Sequence, residues 1–216
     1  DFKRDITFGK TKRGLPVQYI KNKDNGLFTM QYIFDFGTEA DKRLNIAAGF
    51  VNYLGTDKLT AEQLKQQFYK LACSFSVSAG RGKTYISLSG LDENKAEAAK
   101  LMEQFLANAK VDTAAWHQYV ALEKKSREVN KLNQKANFQA LYSYGVYGKY
   151  NPVLNQMTYA ELDSAKPADM VKLITTLAGY KHSVRYYGPS ELKDVIALVD
   201  KTHHTAKKLA DVPAGR

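Results

Sequence analysis

Residues 32–91 read YIFDFGTEADKRLNIAAGFVNYLGTDKLTAEQLKQQFYKLACSFSVSAGRGKTYISLSGL, and the succession of periods within them decides the fold. The stretch opens inside a strand. From Leu27 to Phe36, Phe28, Met30, Tyr32, Phe34 and Phe36 fall on one face, with Thr29, Gln31 and Asp35 on the other. Period two with a single apolar face predicts an antiparallel sheet covered on one side. The period then becomes helical: Leu44, Ala47, Ala48, Val51 and Leu54 recur at helix spacing. Thr60 and Gln63 form a capping box that opens a second helix, with Leu64, Phe68 and Leu71 sharing a face. Period two returns in Phe75, Val77 and Ala79, which alternate with Ser74, Ser76 and Ser78. After the Gly80-Arg81-Gly82 turn, Thr84, Ile86 and Leu88 alternate with Tyr85, Ser87 and Ser89, completing a hairpin.

Upstream, residues 6–10 and 16–21 are short β-type runs, and Asp24-Asn25-Gly26 is a turn signal. Downstream, Asp92 starts a third helix with Ala98, Met102, Phe105 and Leu106 as its apolar stripe. A longer helical region covers 113–147 with one break, and Asn151-Pro152 punctuates it. Pro167 stands in the first turn of a helix carrying Met170, Val171 and Ile174. One more strand, 182–187, ends at Gly188-Pro189, and a last amphipathic helix carries Leu192, Val195, Ile196 and Val199. The polar segment after His203 is expected to fray. Segregated runs of strands and helices predict an α+β fold, an antiparallel sheet with helices packed on one face. No linker divides the chain, so residues 1–216 are expected to form a single domain.

Composition narrows the function classes. At 216 residues the chain can bury a proper core, and 44% hydrophobic with 25% charged residues is ordinary for a globular protein. No apolar run approaches the ~20 residues that span a bilayer, and no signal-peptide pattern is present. The chain begins at Asp1 without a methionine, which suggests a mature chain or a segment of a longer one. Cys73 is the single cysteine, which excludes a disulfide framework and any multi-cysteine metal site. Its apolar neighbours predict a buried, inert thiol. The net charge of +10 would attract anionic partners, but 22 acids are interspersed among the 32 basic residues. The densest group, Lys124, Lys125, Arg127, Lys131 and Lys135, has the spacing of a solvated helix face.

Catalytic patterns are missing. Gly80-Arg81-Gly82-Lys83-Thr84 lacks the spacing of a phosphate-binding loop and joins two strands, so it reads as a hairpin turn. No serine or cysteine sits in a nucleophile elbow with a base. His117 and His182 read as isolated, and His203-His204, about 100° apart on a helix, offer at most an adventitious metal contact. Tyr142, Tyr186 and Tyr187 read as core or sheet positions. The run Tyr144, Tyr147 and Tyr150 reads as core packing, with a peptide-binding surface as the other reading.

Together these features resemble the pitrilysin/insulinase family of zinc peptidases, and most closely the non-catalytic domains of its bacterial members. The resemblance rests on the strand ending Phe36-Gly37-Thr38-Glu39, the helix before Leu54-Gly55-Thr56, the capped helix from Thr60, and the strand Ser74-Phe75-Ser76-Val77-Ser78-Ala79-Gly80. The strand running to Gly90-Leu91 and the final Tyr186-Tyr187-Gly188-Pro189 extend it over nearly the whole chain. Active members carry H-x-x-E-H on the helix before the Gly-Thr pair. Here that helix reads Ile46-Ala47-Ala48-Gly49-Phe50, which puts Ile46 and Phe50 at the histidine positions and Gly49 at the general base. Glu123 and Glu128 lie near the origin of the third ligand but read as helix-surface acids. The family's substrate-steadying tyrosine and arginine would fall at Phe75 and near Phe68, both apolar.

The resemblance therefore implies a catalytically silent domain. No residue is assigned a catalytic, cofactor-binding or metal role, and zinc is expected in a catalytic sibling domain. It further implies a contribution to substrate-chamber wall and interdomain packing, with peptide binding in which the positive charge would favour acidic peptides. Implied partners are sibling domains or a catalytic subunit and a peptide substrate, and the implied setting is the bacterial periplasm or cell envelope. The alternatives are a stand-alone inactive subunit with a structural role, and a basic binder of nucleic acid or an anionic surface.

Overall fold

The computed structural model of the chain describes residues 5–215. Its main sheet has the strand order β1-β2-β8-β3-β6-β5, with β1 Thr7–Lys10, β2 Pro16–Lys21, β3 Leu27–Phe34, β5 Cys73–Ala79, β6 Thr84–Leu91 and β8 Ser183–Gly188. The helices are α1 Arg43–Phe50, α2 Ala61–Lys70, α3 Lys95–Asn108, α4 Thr113–Lys131, α5 Gln134–Tyr147, α6 Tyr159–Ser164, α7 Pro167–Thr175 and α8 Leu192–Thr202. A second, minimal sheet pairs β4 Gly55–Thr56 with β7 Ala109–Lys110.

Strand alternation sets the core. In register, Val17, Val184, Tyr32, Ile86 and Val77 form one row across the sheet, and Tyr19, Tyr186, Met30, Leu88 and Phe75 form the next. Both rows point toward the helices, where Phe50, Phe105, Met102 and Val195 are almost wholly enclosed. Burying each such side chain contributes roughly 1.5–3 kcal/mol. Helix α1 packs against α7 and β5, α2 against β5, α3 against β6, and α8 against α3 and β1.

The predicted α+β architecture with one helix-covered face is what the chain adopts, and the sheet is largely antiparallel. Two details differ. Strands β2 and β8 run parallel, Val17 beside Val184, so the sheet contains one parallel pair. Strand β8, returning from the helical layer, inserts between β2 and β3, which the turn signal alone would have paired directly. The local period of a strand reports which face is buried and carries no information about which neighbour arrives later.

The helical region 113–147 breaks once, as expected, at Leu132-Asn133, and Asn133 caps α5 through the Ala136 amide. The capping box at Thr60 and Gln63 is formed in both directions. The C-terminal segment does not fray along its length. Thr205 is buried and its carbonyl accepts from the Arg13 guanidinium. Ala210 bridges to Tyr180, its carbonyl accepting from the Lys181 amide at 2.8 Å and its amide donating to the Gly179 carbonyl at 2.9 Å. The backbone supplies this anchoring, so a polar sequence could not signal it. No helix among the described residues is long and apolar enough to cross a membrane.

Candidate functional site

Helix α1 is where the resemblance places the metal chemistry, and the structure fills that place with packed hydrocarbon. Ile46 is 2% exposed and Phe50 is wholly buried. The Phe50 ring meets Trp116 edge-on at 5.0 Å between centroids and stacks on Tyr119 at 5.8 Å, and Tyr53 approaches Tyr119 at 5.2 Å. Trp116 and Tyr119 come from successive turns of α4, so this helix delivers an aromatic pair against Phe50. Gly49 sits directly beneath Tyr119: a Cβ at that position would lie 2.2 Å from the phenol oxygen. A glycine inside a helix costs about 0.5–1 kcal/mol, and here it makes room for the tyrosine. Burial raises the Tyr119 pKa well above that of a free tyrosine, with the Glu123 charge adding to it, so the phenol stays neutral.

The surrounding groups carry no idle charge that could bind a metal. Glu123 accepts from Arg127 Nε at 2.7 Å, and Arg127 Nη1 donates to the Met157 carbonyl at 2.5 Å. Glu128 accepts from Lys131 Nζ at 2.7 Å and from the Tyr159 hydroxyl at 2.5 Å. Among the described residues, no group of three or more His, Cys, Asp or Glu side chains is placed to hold a metal ion. The residues at the family's histidine positions do not fit zinc, because neither Ile46 nor Phe50 has a donor atom in its side chain, and Gly49 at the general-base position has no side chain to move a proton. A polar recess beside Ile46 is lined by Lys42, Arg81 and Arg127, but each cation already has a carboxylate partner in Glu161, Glu39 and Glu123.

Phe68 and Phe75 are likewise packing residues. Their rings stack at 5.8 Å, and Phe75 meets Phe105 edge-on at 5.3 Å. Cys73 is buried, its thiol facing the Leu91 carbonyl at 3.9 Å, and burial pushes its pKa up.

No protein-family model and no curated protein sequence matches the chain. Solved structures do. The chain superposes on the peptidase M16 inactive domain from Pseudomonas fluorescens with a TM-score of 0.75 at 16% identity, covering 97% of this chain and 54% of that one. The periplasmic protease PqqL from Escherichia coli gives 0.76 at 15% identity, covering 100% of this chain and 25% of that one. A protease from Helicobacter pylori gives 0.74 at 14% identity, covering 98% and 53%. The chain has the fold of an M16 peptidase domain. It spans about half the length of two of these relatives and a quarter of the third.

Within this M16-type fold, the remaining candidate residues divide sharply. The basic run on α4 is largely neutralised: Lys124 pairs with Asp163, Arg127 with Glu123 and Lys131 with Glu128. Tyr186 is a core residue as expected, its hydroxyl donating to Asp92 Oδ1 at 2.5 Å, while Tyr187 is partly exposed. Burial works against the Asp92 charge, but hydrogen bonds from Ser190, Tyr186 and Lys95 outweigh it and hold the carboxyl below the usual range.

Helix α5 overturns the core reading of the other tyrosines. Tyr142 is 59% exposed and Tyr144 is 55% exposed. Tyr147 is half-exposed, with the Arg81 guanidinium over its ring at 4.5 Å, and the side chain of Tyr150 lies outside the described residues. Phe138, Leu141, Tyr142 and Val146, spaced to share one face, all lie open. Only Ser143 of this helix is buried. The spacing was legible, but α5 packs mainly on α4 alone, so its stripe meets no sheet.

The histidines also depart from expectation. His182 is not isolated: its Nε2 lies 2.9 Å from His203 Nε2, and His203 Nδ1 lies 2.8 Å from Glu103 Oε1. Both rings are buried. One signal was available, since His182 is in phase with the inward-facing Val184 and Tyr186. Contact with His203 and Glu103 depends on α8 and α3 meeting the sheet, which no local pattern encodes.

Proposed function

We propose that this chain is a catalytically silent domain of an M16-type peptidase, contributing chamber wall and interdomain packing while a sibling domain carries zinc and cleaves the peptide bond. The observation that carries the reading is the fate of helix α1, where Ile46 and Phe50 are enclosed and Gly49 lies under Tyr119. Helix α4 packs Trp116 and Tyr119 against Phe50, and the cations lining the recess beside Ile46 are already paired with carboxylates. The likeness to a domain described as inactive supports the same reading.

The packing role has a surface to match. The exposed face of Phe138, Leu141, Tyr142 and Val146 is the kind of contiguous apolar patch that marks an interface. The occupant we assign to it is a sibling domain of the parent protein, because the structures this chain resembles are two to four times its length. The nucleic-acid reading is not favoured, since Lys124, Arg127 and Lys131 are engaged in ion pairs.

A fluorogenic-peptide assay tests the silent role: the chain, supplied with zinc, is expected to give no turnover above buffer. Turnover abolished by a chelator would refute it. Co-purification with the catalytic sibling domain tests the surface, and the Phe138→Ser/Leu141→Ser variant is expected to lose that association while remaining folded.

A further inference from the structure

The chain Tyr180–His182–His203–Glu103 can be settled by counting hydrogens. His182 Nδ1 lies 2.6 Å from the Tyr180 carbonyl, which can only accept, so Nδ1 carries a hydrogen. A neutral His182 then presents Nε2 as an acceptor, and His203 must donate to it through its own Nε2 across 2.9 Å. His203 Nδ1 faces Glu103 Oε1 at 2.8 Å, and that oxygen also accepts from the Tyr32 hydroxyl at 2.8 Å. Three hydrogen bonds run from carbonyl to carboxylate and need three hydrogens. Two neutral imidazoles supply two.

We propose that His182, His203 and Glu103 form a buried site that binds one additional proton, and that this proton fastens the C-terminal segment to the sheet. The proton resides on His203, making it an imidazolium against the Glu103 carboxylate. Burial pushes the His182 ring down to about 4, so His182 is the neutral partner. The Glu103 side chain is 18% exposed and opens onto the groove between α3 and α8, where Glu97, Lys100, Lys201 and His204 also stand. The His203 side chain is fully enclosed, with the Tyr32 ring 4.0 Å away between centroids. The titratable groups facing it are Tyr32 from β3, Glu103 from α3 and His182 from the approach to β8.

His203 follows α8 immediately and leads into the segment that Thr205 and Ala210 dock. Removing the proton leaves two acceptors facing each other in a water-poor site, either His203 Nδ1 and Glu103 or the two Nε2 atoms according to the tautomer, an arrangement that the fold must open to relieve. The fastening is therefore present at lower pH and lost as pH rises. At the acidic end the sign reverses. His182 titrates at about 4 when folded against 6.5 when free, so the stability gained by keeping it neutral fades as pH falls from 6.5 toward 4.

Nitrogen-15 and proton NMR of the imidazole rings at neutral pH tests the site. The expected result is one ring with hydrogens on both nitrogens and one with a hydrogen on Nδ1 alone. Two singly protonated rings beside an ionised Glu103 would overturn the proposal, as would a proton found on Glu103 in place of His203. Glu103→Gln provides the second arm, because its amide can donate to His203 Nδ1 and complete the chain without the extra proton. Hydrogen-exchange protection of the Lys181 and Ala210 amides, corrected for intrinsic rates, is expected to fall at alkaline pH in the natural chain and to stay level in Glu103→Gln. The same fall in both would contradict a fastening proton.

Discussion

Helices α1 and α5 are both rich in apolar residues, yet the fold uses them in opposite ways. Five of the eight residues of α1 are buried, α7 packs along it, and Trp116 and Tyr119 of α4 cover Phe50. Helix α5 has fourteen residues and buries only Ser143. Apolar character in α1 is consumed within the domain, where catalytic members of the resembled family would place ligands. In α5 it is left on the surface. The contrast teaches that apolar content alone does not decide burial: α1 is enclosed by neighbouring elements, and α5 is left with an open apolar face.

The largest expected break in that contrast comes from Phe50→Ala. Truncating a fully enclosed aromatic ring should destabilise the chain by about 3–5 kcal/mol in chemical denaturation. A loss below about 1 kcal/mol would mean that α1 is not core. Gly49→Ala sharpens the point through its sign. In an unencumbered helix that change stabilises by roughly 0.5–1 kcal/mol, but here the new methyl meets Tyr119, whose ring is held by Phe50, Tyr53 and Trp116. A destabilisation of about 1–3 kcal/mol is expected, with much of it recovered in the double variant Gly49→Ala/Tyr119→Phe. The smallest effect should come from α5. Phe138→Ser/Leu141→Ser is expected to change stability by no more than about 0.5 kcal/mol per site while weakening co-purification with the catalytic sibling domain. A loss comparable to that of Phe50→Ala would place α5 in the core after all.

Much of this was legible in the sequence, because burial on a strand or helix follows a period. The rows containing Tyr32 and Met30, the capped helix at Thr60 and the hairpin at Gly80-Arg81-Gly82 all follow local rules. The apolar replacements at Ile46, Gly49 and Phe50 were visible too. What eluded the sequence came from elements remote along the chain. Tyr119 lies seventy residues beyond Gly49, and their spatial fit explains why a glycine stands there. Strand β8 inserts between β2 and β3 although the helical layer separates it from them in sequence, and His182, His203 and Glu103 are likewise brought together from distant segments. The exposure of Tyr142 and Tyr144 was misread because helical spacing identifies a stripe and says nothing about whether another element covers it.

Helix α1 is proposed to serve packing alone and to hold no metal. The most direct test is the zinc content of the purified chain after equilibration with excess zinc and removal of the unbound ion, measured by plasma mass spectrometry. No stoichiometric zinc is expected, with the near-ultraviolet circular dichroism of the Trp116 and Tyr119 cluster unchanged by the metal. One zinc retained per chain would contradict that role.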